Sequence, residues 1–585
     1  NSDWNDINNW KPSGKPTNSD CVYINNVANQ PILNYPGIPS PPNPAYAKNL
    51  TLGANATLEL QTDTSMTVTD EIDVDNSATF IVRNNANLIQ ETDVVSNNNT
   101  GFINMQRAVT GVTPSDYIYW SSPVDGFDVT NISPGSNPNY IYKWIPTVSG
   151  NGSGNYGEWQ FTNETMQIGK GYIIRGLSGT APIPPASIAT TEFTGRPNNG
   201  IITIPIQRGT YSGANYPGAS TTMATALDDN WNLIGNPYPS SISARDFITE
   251  NASEIIDDVN ASISGTVYLW RHLSAPSDAI GDPFYGDFGY NYNPNDYIKF
   301  NHTGSSPAGF TGYIGAGQSF FVLMDHNTPS PNASVIFNNT MRKDTYRNDQ
   351  FYRTEQEPER HRIWLDLINS NNFATSILIG YVQGATNGID RLFDGHELNE
   401  VSTRFYSLID EDKMAIQGKA LPFDTNDTVP LGIELQQSAS YTIAINTIDG
   451  LFEATNQDIY LEDTYNNSIH DLKVTPYTFT SESGVFNDRF ILRYTNESLS
   501  IEEETWSTAL TIAAPNGEYI DVKSQNTPIQ SIIVYDLLGR ELFHKTKINT
   551  LEFTMNTTQL SNGVYLVKAT LDNRKQKTQK VVLKH

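Results

Sequence analysis

LTLGANATLELQTDTSMTVTDEIDVDNSATFIVRNNANLIQ (50–90) is the stretch that decides the fold. Short β-forming runs recur along it, at 50–52, 57–60, 66–68, 72–74, 79–82 and 88–90. Small polar turns such as Gly53-Ala54-Asn55 and Asn84-Asn85-Ala86 separate them. Runs this short cannot bury a face alone, so the pattern reads as a few coils of a right-handed parallel β-solenoid. A meandering sandwich sheet is the other reading. Upstream, Trp4 and Trp10 in WNDINNWKPSGKPTNSDCVYI (4–24) read as a cap on the solenoid end.

Downstream the chain repeats itself. YWSSPVDGF (119–127) parallels LIGNPYPSSI (233–242), and IYKW (141–144) parallels VYLW (267–270). IGKGYIIR (168–175) parallels IGAGQSFFVL (314–323), and FTGRPNNG (193–200) is matched more loosely by VIFNNTMR (335–342). The order is kept across all four pairs, which implies two related β-rich halves. The G-x-G pairs Gly169/Gly171 and Gly315/Gly317 lack a third glycine and a following helix, so they mark tight turns rather than a nucleotide site. The one helical signal is Ser243 as an N-cap followed by Ala244 to Asn251. Polar residues 346–358 read as a linker. From 362 to 496 strand runs return, with breakers at Asn426-Asp427, Asp449-Gly450 and Asn466-Asn467. They predict one or two sandwich modules of jelly-roll or immunoglobulin type.

The last part of the chain reads IIVYDLLGRELF (532–543), LSNGVYLVKATL (560–571) and KTQKVVLKH (577–585). Ile532 and Val534 alternate with Ile533 and Tyr535, and Asn562-Gly563 is a turn dipeptide before a β-branched and aromatic run. This is the pattern of a small antiparallel sandwich. The predicted fold class is therefore all-β and multidomain. It comprises a β-solenoid-like region (1–105), a duplicated β-rich unit (106–345), β-sandwich module(s) (359–497), an acidic linker (498–506) and a small immunoglobulin-like C-terminal domain (507–585).

The order D-LLGR, L-x-x-GVYLVK and a Lys-rich last strand resembles the type A C-terminal sorting domain of type IX secretion system cargo in certain Gram-negative bacteria. NWNLIGNPYPSSI (230–242) is similar to a segment of large secreted proteins that carry such a domain. One departure is that APNGEYIDV (514–522) stands where members carry an Asn-Pro pair. The resemblance implies a protein in transit through the periplasm, then at the cell surface or extracellular. It implies three partners: an outer-membrane translocon barrel, a barrel-shaped outer-membrane shuttle protein, and a sortase-like peptidase cutting near 498–512. Sorting-signal recognition then falls on Asp536, Gly539, Arg540, Gly563, Tyr565, Lys568, Lys580, Lys584 and His585. It also implies that a leader once preceded NSDWNDINNW (1–10), which has no basic and apolar signal segment of its own.

Charge separates the tail from the body. Residues 507–585 hold 10 Lys/Arg against 6 Asp/Glu, while the whole chain of 585 residues carries a net charge of −27. A basic tail on an acidic body suits a receptor of complementary surface, and Lys on a last strand also discourages edge-to-edge aggregation. The acidic body disfavours nucleic acid, whose phosphates need clustered Lys and Arg. No run of 18 apolar residues is present. With one cysteine, Cys21, the fold has no internal disulfide.

The search for chemistry finds no G-x-S-x-G elbow, H-E-x-x-H pair or P-loop. Two groups of hard oxygen ligands at alternate loop positions suit calcium: Asp73 and Asp75, and Asp424, Asn426 and Asp427. The same residue types are also turn formers. PFYGDFGYNYNPNDY (283–297) interleaves rings with Gly and Asn, and Tyr285, Tyr290, Tyr292 and Tyr297 are candidate carbohydrate-stacking residues. The body is expected to be a surface or released binding protein, an adhesin or carbohydrate-binding factor. The alternative is a secreted polysaccharide-degrading enzyme whose carboxylates the sequence does not mark.

Overall fold

The computed structural model describes residues 2–33, 44–112, 116–133, 137–149, 154–175, 187–225, 228–252, 261–271, 276–343, 348, 359–397, 403–455, 457–496, 510–536, 539–572 and 576–584. The chain forms two compact units, Asn1–Tyr494 and Thr495–His585. Both are built almost entirely of strands.

The first unit opens as a parallel solenoid. Val22–Ile24, Leu50–Leu52 and Ile72–Val74 stack as one sheet. Ile32–Leu33, Thr57–Leu60 and Thr79–Val82 stack on a second, and Ala45–Ala47, Ser65–Val68 and Asn87–Gln90 on a third. Leu50 lies opposite Ile72, Thr57 opposite Thr79 and Ser65 opposite Asn87, a constant step of 22 residues. The parallel pairing sets aside the meandering sheet. Leu50, Leu58, Met66, Ile72, Phe80 and Leu88 fill the interior. Trp4 is fully buried against this core, and the Trp10 indole N–H donates to the Trp4 carbonyl at 2.8 Å.

The expected boundary at 105/106 is not one. Ile103–Val112 runs parallel to Thr79–Val82 on one side and antiparallel to Ser187–Pro197 on the other. The solenoid's exposed sheet edge is thereby paired, and one hydrophobic core runs from Trp4 to Phe193 and Ala316. A second core joins Ile204 and Phe337 to Leu392 and Phe393 of the following module. Of 346–358, only Asn348 is described; it is buried, and its side-chain amide donates to the Ala86 carbonyl at 2.8 Å.

The duplication is visible in the sheets. Tyr117–Trp120, Tyr172–Arg175, Ile141–Ser149 and Asn155–Phe161 lie side by side in that order. Trp231–Gly235, Ser319–Met324, Ile263–Trp270 and Tyr297–Phe300 repeat the order in the second half, with Ser305–Ser306 added at the edge. Pairing registers make Tyr117 equivalent to Trp231, Tyr119 to Leu233, Tyr142 to Tyr268, Trp144 to Trp270, Ile173 to Phe321 and Arg175 to Leu323. The halves meet reciprocally: Ser121 N–H donates to Gly317 O at 2.8 Å, and Gly235 N–H donates to Gly169 O at 2.9 Å. Gly235 is required there, since a Cβ would lie 2.3 Å from that of Ser121. The helix Ala244–Asn251 is capped by Ser243, whose hydroxyl accepts from Asp246 N–H at 3.0 Å.

Residues 360–493 form one sheet of 11 strands curled nearly closed around a single core, rather than two modules. Its two outermost strands, Ser468–Asp471 and Tyr477–Ser481, are consecutive in the chain. Asp463 accepts from the Tyr477 hydroxyl at 2.9 Å and pairs with Arg489, tying one flank of the sheet to the other.

The second unit is a two-sheet sandwich. Leu510–Ala513, Tyr519–Ser524 and Glu552–Asn556 form one sheet; Glu541–Thr550, Ile529–Tyr535, Gly563–Leu571 and Gln576–Leu583 form the other. Ile532, Val534, Val567 and Ala569 are fully buried between them. The expected acidic linker, 498–506, lies outside the described residues.

Candidate binding cleft

Alternation along the strands of the duplicated unit puts one residue in two on the face away from the main cores. On that face most residues are rings: Tyr117, Tyr119, Tyr142, Trp144 and Trp159 from the first half, and Trp231, Tyr268, Trp270, Tyr297 and Phe321 from the second. Most of them line a cleft of about 720 Å³. Trp144 and Trp159 meet edge to face at 5.0 Å, and Tyr119 stacks on Trp270 at 5.8 Å with 16° between planes. Both are preferred ring geometries.

Polar ends are placed by the same lattice. Trp144 Nε1 donates to Trp231 O at 2.8 Å, and Trp270 Nε1 donates to Tyr117 O at 3.1 Å. The Tyr119 and Tyr297 hydroxyls share a hydrogen bond of 2.6 Å. Burial raises the Tyr117 phenol well above its ordinary range and pushes Tyr292 up to about 12, against the pull of Arg175. Both therefore remain neutral hydroxyls at physiological pH, able to donate and accept.

The loop 276–297 forms one wall. Phe284 is its anchor, buried against Tyr156 and Tyr216. Asp282 accepts from Phe288 N–H at 2.9 Å and Asn291 Nδ2 at 3.1 Å, which holds its carboxyl below the usual range. Asn291 and Ser277 exchange main-chain hydrogen bonds at 2.9 and 3.0 Å. Of the four tyrosines singled out in the sequence, Tyr285, Tyr292 and Tyr297 line the cleft half-buried, and Tyr290 stands exposed on its rim. Strand residues that the sequence reading missed supply much of the rest of the aromatic lining, among them Tyr117, Trp144, Trp231 and Trp270. Their signal was the alternation within YIYW, IYKW and VYLW, whose outward positions are aromatic in both halves.

Among the described residues, two charged residues line the cleft, Glu158 and Arg175. Arg175 lies over the Tyr140 ring at 4.5 Å. Its Nε is buried without a hydrogen-bond partner, and among the described residues no carboxylate pairs with it.

The calcium candidates are used by their own turns. Asp73 accepts from the Thr100 hydroxyl; Asp75 accepts from Ser77 N–H and Oγ at 2.8 and 2.6 Å, which lowers its pKa. Asp424 caps Asn426 N–H at 2.9 Å, and Asp427 pairs with Lys419 at 3.0 Å and accepts from the Tyr381 hydroxyl at 2.7 Å. Among the described residues no three His, Cys, Asp or Glu side chains converge as metal ligands. The turn-forming reading explains these residues.

In the second unit, the sorting candidates divide. Asp536 and Arg540 clamp a turn: Arg540 N–H and Nε donate to the Asp536 carboxylate at 2.9 and 2.7 Å, and Gly539 takes φ +80°. Tyr565 faces the interior of the sandwich. It is buried, and its hydroxyl donates to Ser561 O at 2.8 Å, so it secures the sandwich. Gly563 and Lys568 are half-buried on the penultimate strand. Lys580 is exposed on the last strand, which is an edge of its sheet, and Lys584 is exposed just after its end. His585 lies outside the described residues.

No curated protein matches the chain. Among solved structures, a polysaccharide lyase is similar at 8% identity over 38% of this chain and 39% of its own, with a TM-score of 0.12. The chain thus spans about two fifths of that protein's length. A biofilm-associated protein's BSP domain is similar at 10% identity over 81% of this chain and 97% of its own, with a TM-score of 0.11. Residues 499–583 match a second domain of unknown function, DUF8694. Residues 1–494 match the model of DUF8693, described as a domain of unknown function, and the chain belongs to that family.

Proposed function

We propose that the protein is a secreted binding protein whose aromatic cleft holds a saccharide, and that its C-terminal unit directs its export through a type IX system. The cleft is the observation that carries the first part. Pyranose rings present flat C–H faces and a rim of hydroxyls, and a groove of indole and phenol rings edged by hydroxyls matches both. Among the described residues a single carboxylate residue, Glu158, lines it. Glycoside hydrolysis ordinarily uses two carboxyl groups about 5 to 9.5 Å apart, so this lining favours holding a sugar over cutting it. The export reading rests on the order of the three tail motifs and on the basic, exposed edge that the last strand presents. It places the protein in the periplasm in transit, then at the cell surface or outside the cell.

A glycan array probed with the full chain tests the binding reading. Binding to a defined set of saccharides that falls at least tenfold in Tyr292→Ala is the expected outcome. An array without signal contradicts it.

A further inference from the structure

We infer that the saccharide carries a carboxylate, as in a hexuronate chain, and that Arg175 reads it; this rests on the saccharide reading of the cleft. The duplication supplies the comparison. The position equivalent to Arg175 in the second half is Leu323, so this strand and this face do not require a guanidinium. An arginine appears on one side only, inside a lining that is otherwise almost uncharged.

Among the described residues no carboxylate pairs with Arg175, and Asp116 near its site acts, like Arg175, on Tyr292. Four buried arginines of this acidic chain meet carboxylates, Arg391 with Asp325, Arg404 with Glu397, Arg489 with Asp463 and Arg493 with Glu462, whereas buried Arg342 is held by neutral oxygens and lies over the Tyr238 ring. Arg175 instead faces phenols, lying over Tyr140 and near Tyr117 and Tyr292. A guanidinium stays charged at any physiological pH and its planar fork matches a carboxylate bidentately. The ring beneath it fixes its plane and keeps the fork pointed in one direction.

The other charged side chain of the cleft does not fill that role. Ile141 pairs with Ile174, and Ile145 pairs with Glu158, with Ile141–Ser149 lying between the two outer strands. Arg175 and Glu158 are therefore two strands apart and offset by five rows, roughly 10 Å across and about 16 Å along the sheet, and the odd offset turns the Glu158 side chain to the opposite face from Arg175. An acidic sugar seated at the Arg175 end keeps its charge clear of Glu158.

Calorimetric titration of the full chain with a 1,4-linked oligogalacturonate, its methyl ester, and a neutral xylo-oligosaccharide tests this. The free acid should bind about tenfold or more tighter than the ester at low salt. In Arg175→Gln the two should come within twofold of each other. Arg175→Leu, which installs the residue of the sister half, serves as a second variant if the first fails to fold. Equal binding of acid and ester by the unaltered chain overturns the inference, as does a preference that survives both substitutions. Binding of the neutral oligosaccharide alone also overturns it, while leaving a saccharide cleft standing. No binding of any of the three sinks the inference and the saccharide reading together.

Discussion

The indole of Trp144 donates to the main-chain carbonyl of Trp231, across the junction between the two halves, at 2.8 Å. Its equivalent, Trp270, returns the bond to Tyr117 at 3.1 Å. The rings that line the cleft therefore also fasten the duplicated unit. Trp144→Phe and Trp270→Phe each remove a donor and leave a carbonyl short of a partner, so each should destabilise by about 1–3 kcal/mol. Urea unfolding checks this, and the two costs should be similar because the contacts are equivalent.

Gly235 and Ser121 occupy equivalent positions and meet at the junction. In Gly235→Ala the new Cβ would stand 2.3 Å from the Ser121 Cβ and 2.9 Å from that of Ser319. Neither is the far end of a flexible side chain, so the substitution should cost about 1–3 kcal/mol or more. Adding Ser121→Gly removes the nearest clash and should recover part of that loss. Thermal unfolding of the single and double variants measures the recovery. Full additivity of the two changes would show that the contact is not the source of strain.

Much of the fold was legible because its signals are local. Ser243 and the residues after it encode their own cap and helix. The runs between Leu50 and Gln90 encode their own strands, and the four repeated strings place equivalent strands in both halves. The boundaries were less legible. Whether Ile103–Val112 closes one domain or opens the next depends on Ser187–Pro197, some 80 residues away. The cleft was read from its contiguous part, the 283–297 loop. Tyr117, Trp144, Trp231 and Trp270 are scattered in sequence and converge only when two sheets form. Arg175 carried no local signal, since its meaning lies in the comparison with Leu323. Tyr565 shows the converse: the burial of a motif residue, and the part it plays in holding the domain together, is not legible from the motif itself.

Acid should expose a buried histidine. His302 is held down to about 4 by burial and by the neighbouring Arg245. Its folded pKa lies below the unfolded value near 6.5, so between about 6.5 and 4 the unfolded chain binds a proton that the folded chain refuses. Stability should then fall as pH drops through that window, by about 3 kcal/mol from this group. His302→Gln should lose that part of the slope. Stability measured at pH 7, 5.5 and 4 in both proteins reads the difference. Identical slopes would contradict it.

The export reading makes a separable claim. A passive reporter fused to residues 507–585 should reach the medium or surface of a bacterium with an intact type IX system. Lys580→Glu with Lys584→Glu should trap it in the periplasm, because the exposed edge strand loses its basic side chains. Tyr565→Ala should trap it as well, through loss of the fold, with a lowered melting temperature of the tail that the lysine variants do not show. Unimpaired export of the lysine double variant would remove the edge strand from recognition.

Trp144, Trp159, Trp231 and Trp270 line the cleft, and the chain has 9 tryptophans in all. Occupancy should therefore change its intrinsic fluorescence directly. The decisive measurement is a titration of the full chain with the saccharides retained on the glycan array, following tryptophan emission. A saturable shift of emission, lost in Tyr292→Ala with Tyr297→Ala, is the expected result. No shift with any saccharide, or a shift that persists undiminished in that double variant, would contradict the assignment of the cleft as the binding site.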